Sequence, residues 1–131
     1  MIGLDTNVLA RYIADDDASQ SAAAARVIES LSAESPGFVP LVVIAELVWV
    51  LQFSYRFNKS EIAGVVEKLL RSAELTIEKA EIVAQALREF RVSRADFADC
   101  LIERCAHGAG CQYTVTFDKR AASLGEMRLI E

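Results

Sequence analysis

The chain has 131 residues, of which 53% are hydrophobic, and it carries a formal net charge of −5. That length fits one domain with little room for a second, and the hydrophobic share predicts a well-filled core. The negative charge counts against a nucleic-acid-binding protein, but it does not exclude one, because bound cations neutralise clustered acids and local basic patches can outweigh the total.

Strands and helices alternate along the predicted chain. Short apolar or alternating runs indicate strands, and apolar residues recurring every three or four positions indicate helices. In chain order, we predict a strand at 1–4, helices at 6–12 and 19–32 separated by a polar break at 15–17, a strand at 38–39, helices at 41–55 and 58–71, a strand at 75–77, helices at 78–90 and 93–107, a strand at 113–117, a short helix at 119–124 and a strand at 127–130. This alternation predicts an α/β protein, a single domain over residues 1–131 with a mainly parallel central sheet flanked by helices.

The sequence shows no membrane-spanning, secretory or disulfide pattern. The longest apolar run, residues 40–51, is interrupted by Glu46, and no run reaches the roughly 18 residues that cross a bilayer. The N-terminus lacks the basic start, apolar stretch and cleavage site of a secretory signal, so we expect a cytoplasmic protein without membrane contacts. Three cysteines, an odd number, argue against a disulfide framework.

A zinc site built from Cys105, His107 and Cys111 is a weak alternative. Structural zinc sites use a closed set of four ligands with tighter spacing than these residues have. We therefore interpret the cysteines as small packing residues and His107 as a surface residue near a helix end.

Two aspartates directly follow predicted strands. Asp5 follows the strand predicted at 1–4, and Asp118 follows the alternating strand predicted at 113–117. Each could be a helix N-cap, where aspartate is common. Sites in open parallel sheets form beyond the carboxyl ends of strands, and two acids at such ends favour a shared site.

Glu46 lies in the most apolar of the predicted helices. Its neighbours three and four positions away are all apolar, which predicts that the helix is buried on nearly every side. An unpaired carboxylate there would be costly, so Glu46 is expected to have a partner or a cation. The alternatives are a polar stripe that faces solvent and an ion pair with an arginine. The four neighbours are Val42, Val43, Trp49 and Val50.

Asp96 and Asp99 lie three positions apart and therefore share one side of a helix. Ser93 and Asp96 also fit a capping-box-like pair, which gives Asp96 a structural explanation. Asp99 lies one turn further in, beside Leu101, and has no such explanation. We rank Asp99 above Asp96 as a candidate ligand.

Four acids from four separate elements would repel one another if they converged, and such a cluster requires cations. Oxygen-only ligands favour Mg²⁺ or Mn²⁺, which lower the pKa of a bound water and stabilise charge on a phosphate in transfer. No Walker loop or GxGxxG motif indicates a nucleotide cofactor, and nothing supports Ser/His/Asp catalysis around the single histidine. The four acids are Asp5, Glu46, Asp99 and Asp118.

These motifs resemble the PIN-domain family, and most closely its VapC-type ribonuclease toxins. Order, spacing and total length agree over nearly the whole chain. One departure is Cys100, where the family commonly has a small residue such as alanine. The four matching blocks are Asp5-Thr6-Asn7, Glu46 within residues 43–47, residues 95–99 followed by Leu101-Ile102, and Thr116-Phe117-Asp118-Lys119.

The resemblance implies an endoribonuclease that uses Mg²⁺ or Mn²⁺ and a metal-activated water to attack an RNA phosphodiester. It makes Asp5, Glu46, Asp99 and Asp118 the catalytic and metal-binding acids, with Asp96 as a supporting acid. Asn7 and Thr116 would orient carboxylates or water, a role with its own physical sense. Four basic residues near the motifs are candidates for phosphate contact or are solvated surface charges: Arg11, Arg94, Lys119 and Arg120.

The resemblance also implies partners. VapC-type toxins pair with a small antitoxin protein and usually form homodimers. The alanine-rich segment 21–25 could dock a partner, and core packing explains it equally well.

Two other interpretations stay open. A receiver domain is also a single α/β domain with strand-end aspartates and bound Mg²⁺, but it expects an acidic pair after the first strand, where this chain has Asp5 followed by Thr6 and Asn7. A non-catalytic binding module with the PIN fold would have little reason to keep four acids. Mn²⁺-dependent RNA cleavage and labelling by a small phosphodonor would distinguish these classes.

Overall fold

A computed structural model describes residues 1–14 and 16–131. Asp15, part of the predicted polar break, lies outside the described residues. The chain divides into two compact units, Met1–Glu78 and Lys79–Glu131. Its elements are β1 (Ile2–Gly3), α1 (Thr6–Ala14), α2 (Ala18–Glu29), β2 (Gly37–Val39), α3 (Leu41–Phe53), α4 (Lys59–Arg71), β3 (Leu75–Ile77), α5 (Ala80–Val92), α6 (Phe97–Gly108), β4 (Thr114–Thr116), a 3-10 helix (Ala121–Ser123) and β5 (Met127–Leu129).

The first unit contains a three-stranded parallel sheet in the order β1-β2-β3. All three strands end at the same edge, as parallel pairing requires. Asp5 lies just beyond the end of β1, and Glu78 follows β3 directly. The Glu78 carboxylate accepts a hydrogen bond from the Leu41 backbone N–H at 2.7 Å, so it satisfies a free donor at the start of α3.

Helix α3 packs inside the first unit. It contacts α1 and α4, and Pro40 is its N-cap residue. Because the helix is apolar, one broad face can be buried without leaving a polar group unpaired. Its buried residues are Val43, Ile44, Leu47, Val48 and Leu51.

Helix α4 begins with a capping box. The Asn58 side chain accepts from the Glu61 backbone N–H at 2.8 Å, and the Glu61 carboxylate accepts from the Asn58 N–H at 2.9 Å. We expect Asn58→Ala to lower the free energy of unfolding by about 1 kcal/mol, because it removes one half of this exchange. Asn58→Asp keeps an acceptor and should cost much less. Urea denaturation measures both, and equal losses would rule out capping as the cause.

The second unit is built from α5, α6 and the parallel pair β4-β5. Helices α5 and α6 pack together, and the rings of Phe90 and Phe97 meet edge to face with centroids 5.6 Å apart. Burial raises the pKa of the Cys100 thiol to about 12, with the charge of Glu89 adding to the effect. Cys100 is therefore an inert packing residue, as interpreted from the sequence.

A charged cluster lies inside the second unit. Glu103 is 1% exposed, pairs with the neighbouring Arg104 guanidinium and accepts from the Glu126 backbone N–H at 3.2 Å. Arg104 also lies 3.3 Å from Glu89. The second carboxylate oxygen of Glu89 is buried and has no hydrogen-bond partner among the described residues. Burial and the charge of Glu103 raise the pKa of Glu89.

The predicted α/β class with parallel strands is confirmed, since every strand pair is parallel. The prediction of a capping box between Ser93 and Asp96 is wrong. Helix α6 begins at Phe97 rather than 93, so Asp96 is its N-cap residue and makes no side-chain capping bond. The predicted helix at 119–124 is a single 3-10 turn, Ala121–Ser123.

Among the described residues, none of the helices has both the length and the apolar character needed to cross a bilayer.

Candidate functional site

In the first unit, Thr6 connects the two predicted acids. Its backbone N–H donates to the Asp5 carboxylate at 2.9 Å, and its hydroxyl donates a hydrogen bond to Oε1 of Glu46. Thr6 is only 3% exposed, so both bonds are held in a packed setting. One residue therefore fixes an acid at the end of β1 and an acid on α3.

The predicted burial of Glu46 is wrong. Glu46 is exposed, and it lies on the one face of α3 that does not enter the core. That face is apolar too, because Val42 and Trp49 flank Glu46 at 72% and 59% exposure. The carboxylate keeps its hydration on one side and receives the Thr6 hydroxyl on the other, so it needs no arginine partner.

If Glu46 has the predicted catalytic role, we expect Thr6→Val to reduce activity about 10- to 100-fold, because the orienting hydrogen bond to its carboxylate is lost. The substitution keeps the shape of the side chain and removes only the donor. Thr6→Ser, which restores a hydroxyl, should recover most of the activity. Rates of RNA cleavage and melting temperatures of the three proteins measure this, and equal activity of the Val and Ser variants would contradict a positioning role.

In the second unit, Asp99 lies close to two other predicted acids. It is half-buried in the first turn of α6. Burial raises the pKa of Asp99, and the negative charges of Asp118 and Asp96 raise it further, while Arg120 opposes them. Asp99 therefore interacts electrostatically with Asp96, Asp118 and Arg120 inside the second unit.

Asp118 is held by the turn that follows β4. Its Oδ1 accepts from the backbone N–H of Arg120 at 2.7 Å and of Ala121 at 3.2 Å. Its own N–H donates to the Thr116 hydroxyl at 3.0 Å. Thr116 therefore supports the Asp118 backbone. The second carboxylate oxygen of Asp118 lies on an exposed residue and can bind a ligand.

The predicted supporting and basic residues differ in whether they form ion pairs. Arg120 pairs with Asp96 at 3.3 Å, and Arg11 pairs with Asp16 at 2.9 Å and donates to the Tyr55 hydroxyl at 3.0 Å. These two guanidinium groups therefore balance local acids. The remaining three predicted residues, Asn7, Arg94 and Lys119, are exposed.

The donor chemistry of both groups of acids fits a hard divalent cation. Every candidate ligand offers carboxylate oxygen, the donor that Mg²⁺ and Mn²⁺ prefer, and the crowding around Asp99 is of the kind that a cation relieves. Within neither unit do three or more described His, Cys, Asp or Glu residues cluster closely enough to hold a metal ion. Cys105 is half-buried, and His107 and Cys111 are exposed.

The chain is similar to known proteins over almost its whole length. The family model for the PIN domain matches residues 2–127. A VapC ribonuclease of Aquifex aeolicus (strain VF5) is 29% identical over 123 residues, which cover 93% of this chain and 90% of the relative. A crystal structure of Mycobacterium tuberculosis VapC20, described as a sarcin-ricin loop cleaving toxin, aligns with 17% identity and a TM-score of 0.46 over 96% of each chain.

Proposed function

The chain belongs to the PIN-domain family, and from that premise we propose that it is an endoribonuclease dependent on Mg²⁺ or Mn²⁺. Its substrate would be an RNA phosphodiester bond, and its biological role that of the toxin in a toxin–antitoxin pair. Support comes from the similarity to a VapC ribonuclease over 93% of this chain. The observation that carries the proposal is Thr6, which holds Asp5 and Glu46 at the carboxyl end of a parallel sheet.

We assign the acidic roles to Asp5, Glu46, Asp99 and Asp118, with Asp96 in support. These residues would hold the cation, which when bound supplies a more acidic water and offsets charge on the phosphate. Thr6 keeps Glu46 in one orientation through its hydroxyl. The backbone N–H groups of Arg120 and Ala121 fix one oxygen of Asp118 and leave the other to bind.

Arg120 has a supporting task in this scheme. Its guanidinium pairs with Asp96 and lowers the repulsion that Asp99 experiences. Arginine keeps its charge at any relevant pH, so this balance persists when no cation is bound. Arg11, Arg94 and Lys119 remain candidates for RNA phosphate contact.

A protein antitoxin and a second copy of the chain are the proposed partners. The alanine-rich segment 21–25 is partly buried and partly exposed: Ser21 and Ala24 are buried, whereas Ala22 and Ala23 are exposed.

In the same unit, α1, α2 and α4 line a cavity of about 740 Å³ whose walls are mostly apolar. A toxin of this kind would be expected to gain stability when co-purified with its antitoxin, because binding to the folded state stabilises it.

The PIN-family match removes the basis for a receiver domain. A phosphoacceptor would be expected at the end of a strand, whereas Glu46 lies within α3. A non-catalytic PIN-fold module is the other alternative, and the assay for cleavage decides between it and the nuclease.

We expect the purified chain to cleave RNA in Mg²⁺ or Mn²⁺ and to stop in EDTA, because no other catalytic group accompanies the acids. The measurement follows a labelled RNA on a gel, with the Asp5→Asn protein, purified in parallel, as the control for contaminating nucleases. Cleavage that persists undiminished in EDTA, and is absent from the control, would contradict the metal-dependent mechanism.

A further inference from the structure

The charged cluster inside the second unit contains two acids and one base. Glu89 lies on α5, whereas Glu103 and Arg104 lie on α6, the helix that packs against it. The Glu103 side chain is 1% exposed and that of Arg104 16%, so water screens their charges poorly. If both glutamates are ionised, one negative charge in this cluster has no counterpart, and an unbalanced buried charge is costly. A single proton on either acid removes that charge.

The hydrogen-bond donors of the cluster are unequally shared between the two acids. Both oxygens of Glu103 have a donor, since Nε of Arg104 donates to Oε1 and the backbone N–H of Glu126 donates to Oε2 at 3.2 Å. Glu89 has Nε of Arg104 at 3.3 Å from its Oε1, and 28% of its side chain is exposed. Its Oε2 is nevertheless buried, and no donor among the described residues reaches it. Because a buried oxygen without a donor is costly, Glu89 is the acid that a proton relieves most.

The carboxyl groups of Glu89 and Glu103 also lie within hydrogen-bonding reach of each other. Two carboxylates cannot form a hydrogen bond, because both are acceptors and neither carries a hydrogen. One proton changes the same approach into an O–H···O⁻ bond, which belongs to the strong class of hydrogen bonds. Two carboxyl groups that share a site resolve their repulsion in this way, by retaining a proton on one of them.

We propose that Glu89 and Glu103 share one proton in the folded protein, and that this shared proton holds α5 against α6 in a pH-sensitive manner. Glu89 carries the proton and donates it to Glu103, whose negative charge Arg104 balances. As the pH rises, the proton passes to solvent and leaves two facing carboxylates with one guanidinium group. The shared proton acts within the second unit, and it does not depend on the proposed cleavage reaction.

The groups that face the pair set the direction of its pH dependence. Burial is the largest cause of the raised pKa of Glu89, the negative charge of Glu103 adds to it, and Arg104 opposes both. Cys100 on α6 interacts with the two acids, but its pKa of about 12 keeps the thiol neutral. Folding therefore favours protonated Glu89. The stability that the shared proton contributes is present at low pH and is lost as the pH rises through the raised pKa of Glu89.

The first test compares the wild-type chain with Glu89→Gln, whose amide is neutral at every pH and still donates a hydrogen bond. Urea denaturation from about pH 4.5 to about pH 8 should give equal stability at the acid end. Toward higher pH the unfolding equilibrium constant of the wild type should rise relative to the variant, by up to about tenfold per pH unit, until the raised pKa is passed. Glu81→Gln, at an exposed residue of α5, is the matched control and should show no such gap. A gap for Glu89→Gln that stays constant with pH would overturn the shared proton.

The second test observes the proton directly and does not require Glu89→Gln to fold. Carboxyl-carbon NMR shifts of the wild-type protein, assigned through the backbone, follow the ionisation of Glu89 as the pH changes. Glu89 should titrate above the ordinary glutamate value of about 4.3. In Glu103→Gln the pKa of Glu89 should fall toward that value, because the charge that retains the proton is gone. An ordinary pKa for Glu89 in the wild type, or a raised pKa that Glu103→Gln leaves unchanged, would show that the two acids do not share a proton.

Discussion

Replacing Asp99 with asparagine should reduce RNA cleavage about 1,000-fold or more, equivalent to roughly 4 kcal/mol of lost transition-state stabilisation. The folded state should survive, because the amide keeps the shape of the side chain. Removing this charge also relieves the repulsion from Asp118 and Asp96. Steady-state cleavage rates and urea denaturation of the same preparations measure the two effects.

Asp96→Asn is the matched comparison. Asp96 makes an ion pair with the exposed Arg120, and exposed pairs contribute little to stability. Its loss should therefore cost less activity than the loss of Asp99. A larger loss from Asp96→Asn than from Asp99→Asn in the same assay would show that the roles of the two acids are reversed.

Arg104→Met should lower the free energy of unfolding by about 3–5 kcal/mol near pH 7, because it leaves the buried Glu103 carboxylate without its cation. Glu103 is 1% exposed and the Arg104 side chain 16%, so water cannot replace the lost interaction. The exposed Arg88 provides the control: Arg88→Met should change stability by less than about 0.5 kcal/mol.

The pH dependence of this deficit has a defined sign. The pKa of Glu89 is raised in the folded protein, so folding favours the protonated form of Glu89. The stability that Glu89 gains in this way is present at low pH and is lost as the pH rises through the raised pKa. Arg104 opposes this rise in the pKa of Glu89, so Glu89 takes up a proton more readily when Arg104 is replaced. The deficit of Arg104→Met should therefore shrink between pH 7 and pH 5, and a deficit that grows over this range would contradict the account.

The spacing of apolar residues predicted the helices and strands well where interactions between residues close in sequence decide the structure. The strand at 75–77 has the predicted bounds, and the helix predicted at 58–71 is α4, Lys59–Arg71. The start of α6 did not follow from Ser93 and Asp96, because capping patterns give candidate positions and tertiary packing selects among them. Phe97, which is 1% exposed, opens α6 and packs against Phe90.

Burial was harder to predict than secondary structure. An apolar helix such as α3 looks buried on every side, and composition cannot reveal that Val42 and Trp49 face solvent. Glu103 is the opposite case. A glutamate followed by an arginine looks like ordinary surface charge, yet both side chains enter the interior of the second unit.

The candidate acids could be named from the sequence, but their supports could not. Asp5, Glu46, Asp99 and Asp118 stand out by position within four motifs, and their catalytic roles remain predictions. The hydrogen bond from Thr6 to Glu46 joins residues 40 positions apart, and no local pattern encodes such a contact. The one available signal was the placement of Thr6 inside the first motif.

We propose that Asp5 and Asp118 both serve one metal-dependent cleavage reaction. The most direct test compares the Mn²⁺-dependent cleavage rates of Asp5→Asn, Asp118→Asn and the double variant on one unpaired RNA. Residues that act as a unit have non-additive effects, so we predict that the double variant is scarcely slower than the slower single variant. Losses that multiply in the double variant, or a single variant with full activity, would contradict the claim.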